Sequence, residues 1–239
     1  MRLAGNRIRR GYCFEKKEYM RNLRKFTLVA ARLCFFLFAV VSTGCVDFNI
    51  RNLNSSGKNI ICFGDSLTAG YGVEQGRSYP VTLASLTSFN VINAGLSGDN
   101  TREALLRLKT DVLDKEPVMV IVEFGGNDLL GKLPFAETLK NMSEIVDRSQ
   151  EAGAMVAIVD ISAELFMEEY RQAFRSLARE KGVIFIGRAM EGIITDPALK
   201  SDYMHPNSYG YKIMAHRVYR AIMPYLNRNL IARNIAAGR

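Results

Sequence analysis

From Asn59 onward the chain alternates short apolar runs with stretches of helical periodicity, and this alternation restricts the fold more than any other feature. Apolar runs too short for helices, bounded by Gly, Asp and Asn, read as strands, and strands that alternate with helices build a parallel sheet with helical layers. Strands are predicted at Asn59–Phe63, Asn90–Asn93, Val118–Phe124, Met155–Asp160 and Val183–Ile186. Helices are predicted at Ser78–Thr87, Thr101–Lys115, Pro134–Ala152, Ala163–Lys181 and from about Asn207 to Leu226. Thr101 is expected to cap its helix, Pro134 to occupy a first turn, and Gly153 and Gly182 to close helices at left-handed positions. Five strands suffice for an α/β/α sandwich, and 48% hydrophobic residues in 239 support one core of that size.

The net charge of +8 would suggest a nucleic-acid partner if it were spread over the domain. It is not: residues 1–44 hold ten Lys/Arg and two Asp/Glu, and the remaining 22 basic and 22 acidic residues cancel. A neutral body without a basic stripe excludes nucleic-acid binding as the first reading. The basic residues instead precede an uncharged run from Leu33 to Val41, too short to span a bilayer, that ends in Ser42, Thr43 and Gly44 before Cys45. This segment resembles a bacterial lipoprotein signal with a lipobox. The resemblance implies cleavage before Cys45, lipidation of that cysteine, and an exported protein held at the membrane of the cell envelope. Met20 opens a signal of ordinary length, so translation is expected to begin there. Cys62 then remains as the one cysteine of the domain, a small hydrophobe in an apolar run with no partner for a disulfide or a metal site.

The chain therefore divides into a leader (1–44), a polar tether (45–58), an α/β domain (59–226) and a tail (227–239) that either extends the last helix or frays and to which no role is assigned. Ligands of open parallel sheets gather at the carboxyl ends of strands. Four polar clusters lie there: "GDS" (64–66), "NAGLSGDN" (93–100), "GGND" (125–128) and "SDYMHPN" (201–207). Singly, each reads as a turn. Together they supply what serine hydrolysis requires. Ser66 is the candidate nucleophile, inert without a base, and only two histidines exist, of which His216 falls on a helix surface. His205 is thus the candidate base, and Asp202, three residues before it, can fix its tautomer from the same loop. Candidate oxyanion donors are the backbone N–H groups of Ser66 and Gly98 and the side-chain amide of Asn127.

In this order and at these separations, "FGDSLTAGYG", "SGDN", "GGND" and "DYMHP" resemble the GDSL or SGNH hydrolase family, most of all its bacterial esterases of thioesterase, arylesterase and lysophospholipase type. The resemblance covers about Asn59 to Leu226. It implies a flavodoxin-like sandwich of five parallel strands and an acyl-ester substrate, with no metal and no cofactor. It also implies Ser66, Asp202 and His205 as the catalytic triad and Ser66, Gly98 and Asn127 as the oxyanion hole. One departure stands out: relatives of the thioesterase branch carry a substrate-facing loop after the fourth strand, whereas "DISAELFMEEYRQAF" runs almost straight into a helix. A shorter or more open acyl pocket is expected. A carbohydrate O-acetylesterase would share every catalytic residue and differ in pocket shape, and a non-catalytic envelope lipoprotein would be expected to lack Ser66, His205 or Asn127.

Overall fold

A computed structural model of the chain describes residues 49–162 and 168–238. The leader and Cys45 lie outside the described residues, as does the stretch 163–167 in which the fourth predicted helix and the departure from the thioesterase loop begin.

Five strands form one parallel sheet: β1 (Asn59–Gly64), β2 (Asn90–Gly95), β3 (Pro117–Glu123), β4 (Met155–Val159) and β5 (Ile184–Ile186), in the order β2-β1-β3-β4-β5. All seven positions of β3 and all five of β4 are buried, because helices cover both faces; central strands of this kind write themselves as unbroken apolar runs. The period-2 pleat sorts each strand between two cores. Ile60, Cys62, Met119 and Ile121 face α2 (Tyr79–Leu86) and α7 (Ser208–Ala236) through Tyr79, Leu83, Tyr211, Met214 and Val218. Ile61, Phe63, Val120 and Val122 face α3 (Thr101–Asp111), α5 (Phe135–Glu151) and α6 (Glu168–Lys181) through Leu108, Met142, Ile145 and Phe174. Two short helices, α1 (Ser66–Ala69) and α4 (Gly126–Leu130), follow β1 and β3 directly, where turns were expected.

Gly153 and Gly182 adopt the left-handed conformation after α5 and α6, with φ of 82° and 62°. Other expectations need correction. Thr101 does not cap α3. Asn100 does, accepting the N–H groups of Arg102 and Glu103 while Glu103 reaches back to the Asn100 N–H, and the Thr101 hydroxyl instead donates to the buried Asp128 carboxylate. The helix predicted to reach Lys115 ends at Asp111 and passes through a 3₁₀ turn, Leu113–Lys115. Pro134 is the cap of α5 rather than part of its first turn.

The tail takes the helical course, and the described part of the tether is bound to the domain. Helix α7 runs on past Leu226, with Pro224 inside it, to Ala236. Its buried Asn229 donates to Leu53 O and Ser55 O (2.8 and 2.9 Å), and Arg233 donates to Gly57 O. Ile50 is buried, Arg51 N–H donates to Gly182 O, and the Asn52 amide reaches Gln150 O and Ala154 O. Residues 50–58 are thus docked on the domain, because side chains of α7 and carbonyls of distant loops satisfy a segment that has no pattern of its own.

Candidate active site

The sheet order reverses between β1 and β3: the chain leaves β1 toward β2 on one side and returns to β3 on the other. The crevice at the carboxyl ends of these two strands is where such sheets bind ligands. Ser66 follows β1 and Asn127 follows β3. Asp65 caps α1, its Oδ1 accepting the Leu67 N–H at 3.0 Å, so Ser66 is the first helical residue. At that position the Ser66 N–H has no acceptor within its own helix.

His205 comes from the loop before α7, and that loop is tied at several points. Ser201 N–H donates to His205 O at 2.9 Å, Lys200 bridges Pro206, and the Asn207 side chain both caps α7 and donates to Ala198 O. Asp202 Oδ1 accepts the N–H groups of Met204 and His205, each at 2.8 Å, which folds the loop into an Asx turn. Its Oδ2 lies 2.8 Å from His205 Nδ1, and His205 Nε2 lies 2.9 Å from Ser66 Oγ. The chain of contacts Ser66–His205–Asp202 is continuous. The Met204 N–H above all, with the contact to His205, draws the Asp202 carboxyl down to about 2, so it is an anion throughout the neutral range. An anion on Nδ1 places the ring proton there and leaves Nε2 as the acceptor for the serine proton.

Gly98 has φ of +87°, which an L side chain rarely adopts, and a Cβ built there meets no atom within 4 Å. Asn127 Nδ2 donates to Asp65 Oδ2 at 3.1 Å and to Asp99 O at 2.9 Å. The same structure therefore brings Ser66, His205 and Asp202 into one hydrogen-bonded line and ties Asn127 to Asp65, the residue beside Ser66. His216 is exposed on α7, apart from this line.

Several residues that hold the site carry no motif. The Tyr71 ring lies 4.5 Å from the His205 ring, tilted by 45°, and Tyr211 Oη donates to Tyr71 O at 3.0 Å. Arg107 of α3 donates to Asp99 Oδ2, Ala94 O and Gly64 O and lies over the Phe63 ring, which joins the ends of β1 and β2 to the loop bearing Gly98. Asp128, buried, accepts the Thr101 N–H and the hydroxyls of Thr101 and Thr138, and so binds α4 to α3 and α5. Glu123, at the end of β3, is wholly buried, and an acid closing the apolar run "VMVIV" was a sequence signal for it.

This fold, with serine, histidine and aspartate aligned at its switch point, defines the class of α/β/α ester hydrolases. More particularly, the chain belongs to the GDSL-like lipase/acylhydrolase family, whose model matches residues 62–213. It is 28% identical over 178 residues to "Thioesterase 1/protease 1/lysophospholipase L1" of Escherichia coli K12, covering 71% of this chain and 86% of that one. Among solved structures it is similar to the psychrotrophic esterase EstA of Pseudoalteromonas sp., inhibited there by monoethylphosphonate (28% identity, 71% of this chain and 99% of that chain, TM-score 0.64). A third similarity is to AlinE4, an SGNH-hydrolase family esterase (32% identity, 72% and 97% coverage, TM-score 0.56).

Proposed function

We propose that this chain is a serine esterase that cleaves acyl esters through an acyl-enzyme on Ser66. The observation that carries the reading is the unbroken line from Ser66 Oγ through His205 to Asp202, at 2.9 and 2.8 Å. As the serine oxygen attacks the ester carbon, its proton passes to His205 Nε2, and the imidazolium formed is stabilised by the Asp202 anion. The carbonyl oxygen becomes an oxyanion, met by the N–H groups of Ser66 and Gly98 and by the Asn127 amide. One Asn127 hydrogen remains on Asp65, while the other leaves Asp99 O for the oxyanion. His205 then gives its proton to the departing alcohol or thiol. Water, deprotonated by the same ring, releases the acid and restores Ser66.

The exposed apolar side chains beside these groups support an acyl or aryl substrate. Leu96 precedes Gly98, Leu129 and Leu130 follow Asn127, Tyr203 precedes His205, and Tyr71 lies on the His205 ring; each is 47% exposed or more. The names of the relatives, thioesterase and lysophospholipase among them, agree with that choice. The basic leader, the apolar run and Cys45 support export and anchoring by lipid on the envelope, and among the described residues no helix is long and apolar enough to cross a membrane.

The test is the rate of the full-length protein in detergent on nitrophenyl acetate, octanoate and palmitate, beside Ser66→Ala. Hydrolysis that vanishes with Ser66, at an unchanged thermal midpoint, and that favours octanoate or longer is expected. Hydrolysis retained by Ser66→Ala would refute the nucleophile, and acetate as the sole substrate would favour a deacetylase. Mass spectrometry of the mature N-terminus checks the lipid on Cys45.

A further inference from the structure

Beneath the candidate nucleophile lie two carboxyl groups for which the proposed mechanism has no use. Glu123 is 0% exposed and Asp65 3% exposed. Glu123 Oε2 accepts the Thr68 hydroxyl at 2.7 Å, and Tyr79 Oη lies 3.3 Å from that same hydroxyl; the Asp65 N–H is also turned to the Glu123 carboxyl, yet the buried Oε1 is left without a hydrogen-bond partner. A Cβ on Gly64 would stand 2.6 Å from Glu123 Oε2 and 2.1 Å from Thr68 Oγ1, so glycine at this position is what admits Glu123 to the floor of the site. The Asp65 carboxyl lies within hydrogen-bonding reach of Glu123, and its own two oxygens accept the Leu67 N–H and the Asn127 amide.

Among the described residues no lysine or arginine donates to either carboxyl. The titratable groups facing the pair are Tyr79 of α2, with Cys62 of β1 beside it, Tyr211 of α7 and, toward Asp65, Asp128 of α4 and His205. Arg107 reaches as near as Gly64 O but directs its N–H groups to that carbonyl, Ala94 O, Asp99 and Asp111. Two carboxylates sharing a dry site cannot both be ionised. Burial first, and then the charge of Asp65, push Glu123 well above the usual carboxylate range; burial raises Asp65 only to about 6, with the Leu67 N–H and the bond from Glu123 opposing the rise.

We propose that Glu123 is a positioning residue: it stays protonated in the folded protein and donates from Oε1 to the Asp65 carboxylate, which in turn holds one hydrogen of the Asn127 amide. The unpartnered oxygen of Glu123 is thus a donor. Held by Asp65, the amide nitrogen of Asn127, and not its oxygen, points toward the substrate side. This deepens the esterase reading and rests on Asn127 being an oxyanion donor.

The test compares Glu123→Gln with Glu123→Ala in the full-length protein. Glutamine keeps an acceptor for Thr68 and an N–H donor for Asp65, whereas alanine keeps neither. At neutral pH the infrared difference between parent and Glu123→Gln should contain the carbonyl stretch of a protonated carboxyl group. The Asn127 side-chain amide signals in nitrogen NMR should move in Glu123→Ala and stay in Glu123→Gln. Esterase kcat should fall roughly tenfold or more in Glu123→Ala at unchanged KM, short of the 10²- to 10³-fold loss expected when the amide itself is removed, with Glu123→Gln restoring most of it. Absence of the protonated-carboxyl signal, or equal Asn127 shifts in both variants, would overturn the proposal. A parent protein with no esterase activity would refute the esterase reading alone, since the infrared and NMR results decide the proton on Glu123 without turnover.

Discussion

Arg107→Ala should destabilise the domain by an amount that depends on pH in a defined direction. Arg107 is 15% exposed and Asp99 3%, and their atoms approach to 2.6 Å, so this is a buried ion pair rather than a solvated one. The same guanidinium holds Ala94 O at 2.8 Å and Gly64 O at 3.1 Å and lies 4.5 Å above the Phe63 ring. Removing one partner of a buried pair leaves an uncompensated charge and costs about 3–5 kcal/mol, against a total stability of roughly 5–15 kcal/mol for a domain. Burial already raises the Asp99 carboxyl above its ordinary value, in opposition to Arg107. Without the cation it rises further. A carboxyl with a raised folded pKa contributes its stability below the unfolded value, about 4, and loses it as pH rises through the folded value. The deficit of Arg107→Ala should therefore be smallest near pH 4 and grow as pH rises. Urea unfolding of Arg107→Ala, Asp99→Asn and the double variant at pH 5 and pH 8 checks this, and the neutral asparagine should recover part of the loss with a coupling of about 2 kcal/mol or more. A deficit under about 1 kcal/mol at both pH values, with no coupling, would refute the reasoning and reduce Arg107 to a surface charge.

Asn127→Ala should lower kcat by about 10²- to 10³-fold with little change in KM, and because its amide also ties Asp65 to Asp99 O, steady-state kinetics should be paired with a melt that shows a loss of about 1–2 kcal/mol. The Asp202 carboxyl, drawn down to about 2 by the Met204 N–H foremost, contributes stability above about pH 4 and loses it as pH falls toward 2. Asp202→Asn should flatten the stability profile over that acid window, and carboxyl carbon NMR of the parent should place the midpoint near the lower end.

The strands β1, β3 and β4 were legible because helices cover both faces, and a strand buried on both faces is an unbroken apolar run. The site clusters were legible because parallel strands deliver their carboxyl ends to one edge, and because serine hydrolysis admits few residue types in a chain with two histidines. Asp202 and His205, three residues apart, meet through a local turn and needed no tertiary knowledge. Helices α1 and α4, four and five residues long, are too short to write a periodicity, so they read as turns.

What the sequence alone determined, then, is the sheet, its layers and the chemical inventory at its edge, since each follows from local pattern. Only the tertiary structure decided that Thr101 turns to Asp128, that Asn229 and Arg233 bind the segment 50–58, that Arg107 fastens two strand ends, and that Glu123 packs against Thr68 and Asp65. Thr101, Asn229, Arg233 and Glu123 each find a partner more than 25 positions away along the chain, as Arg107 does at Gly64 O. A polar residue in a sequence reads as solvent-facing, and only folding supplies the buried partner that makes it structural.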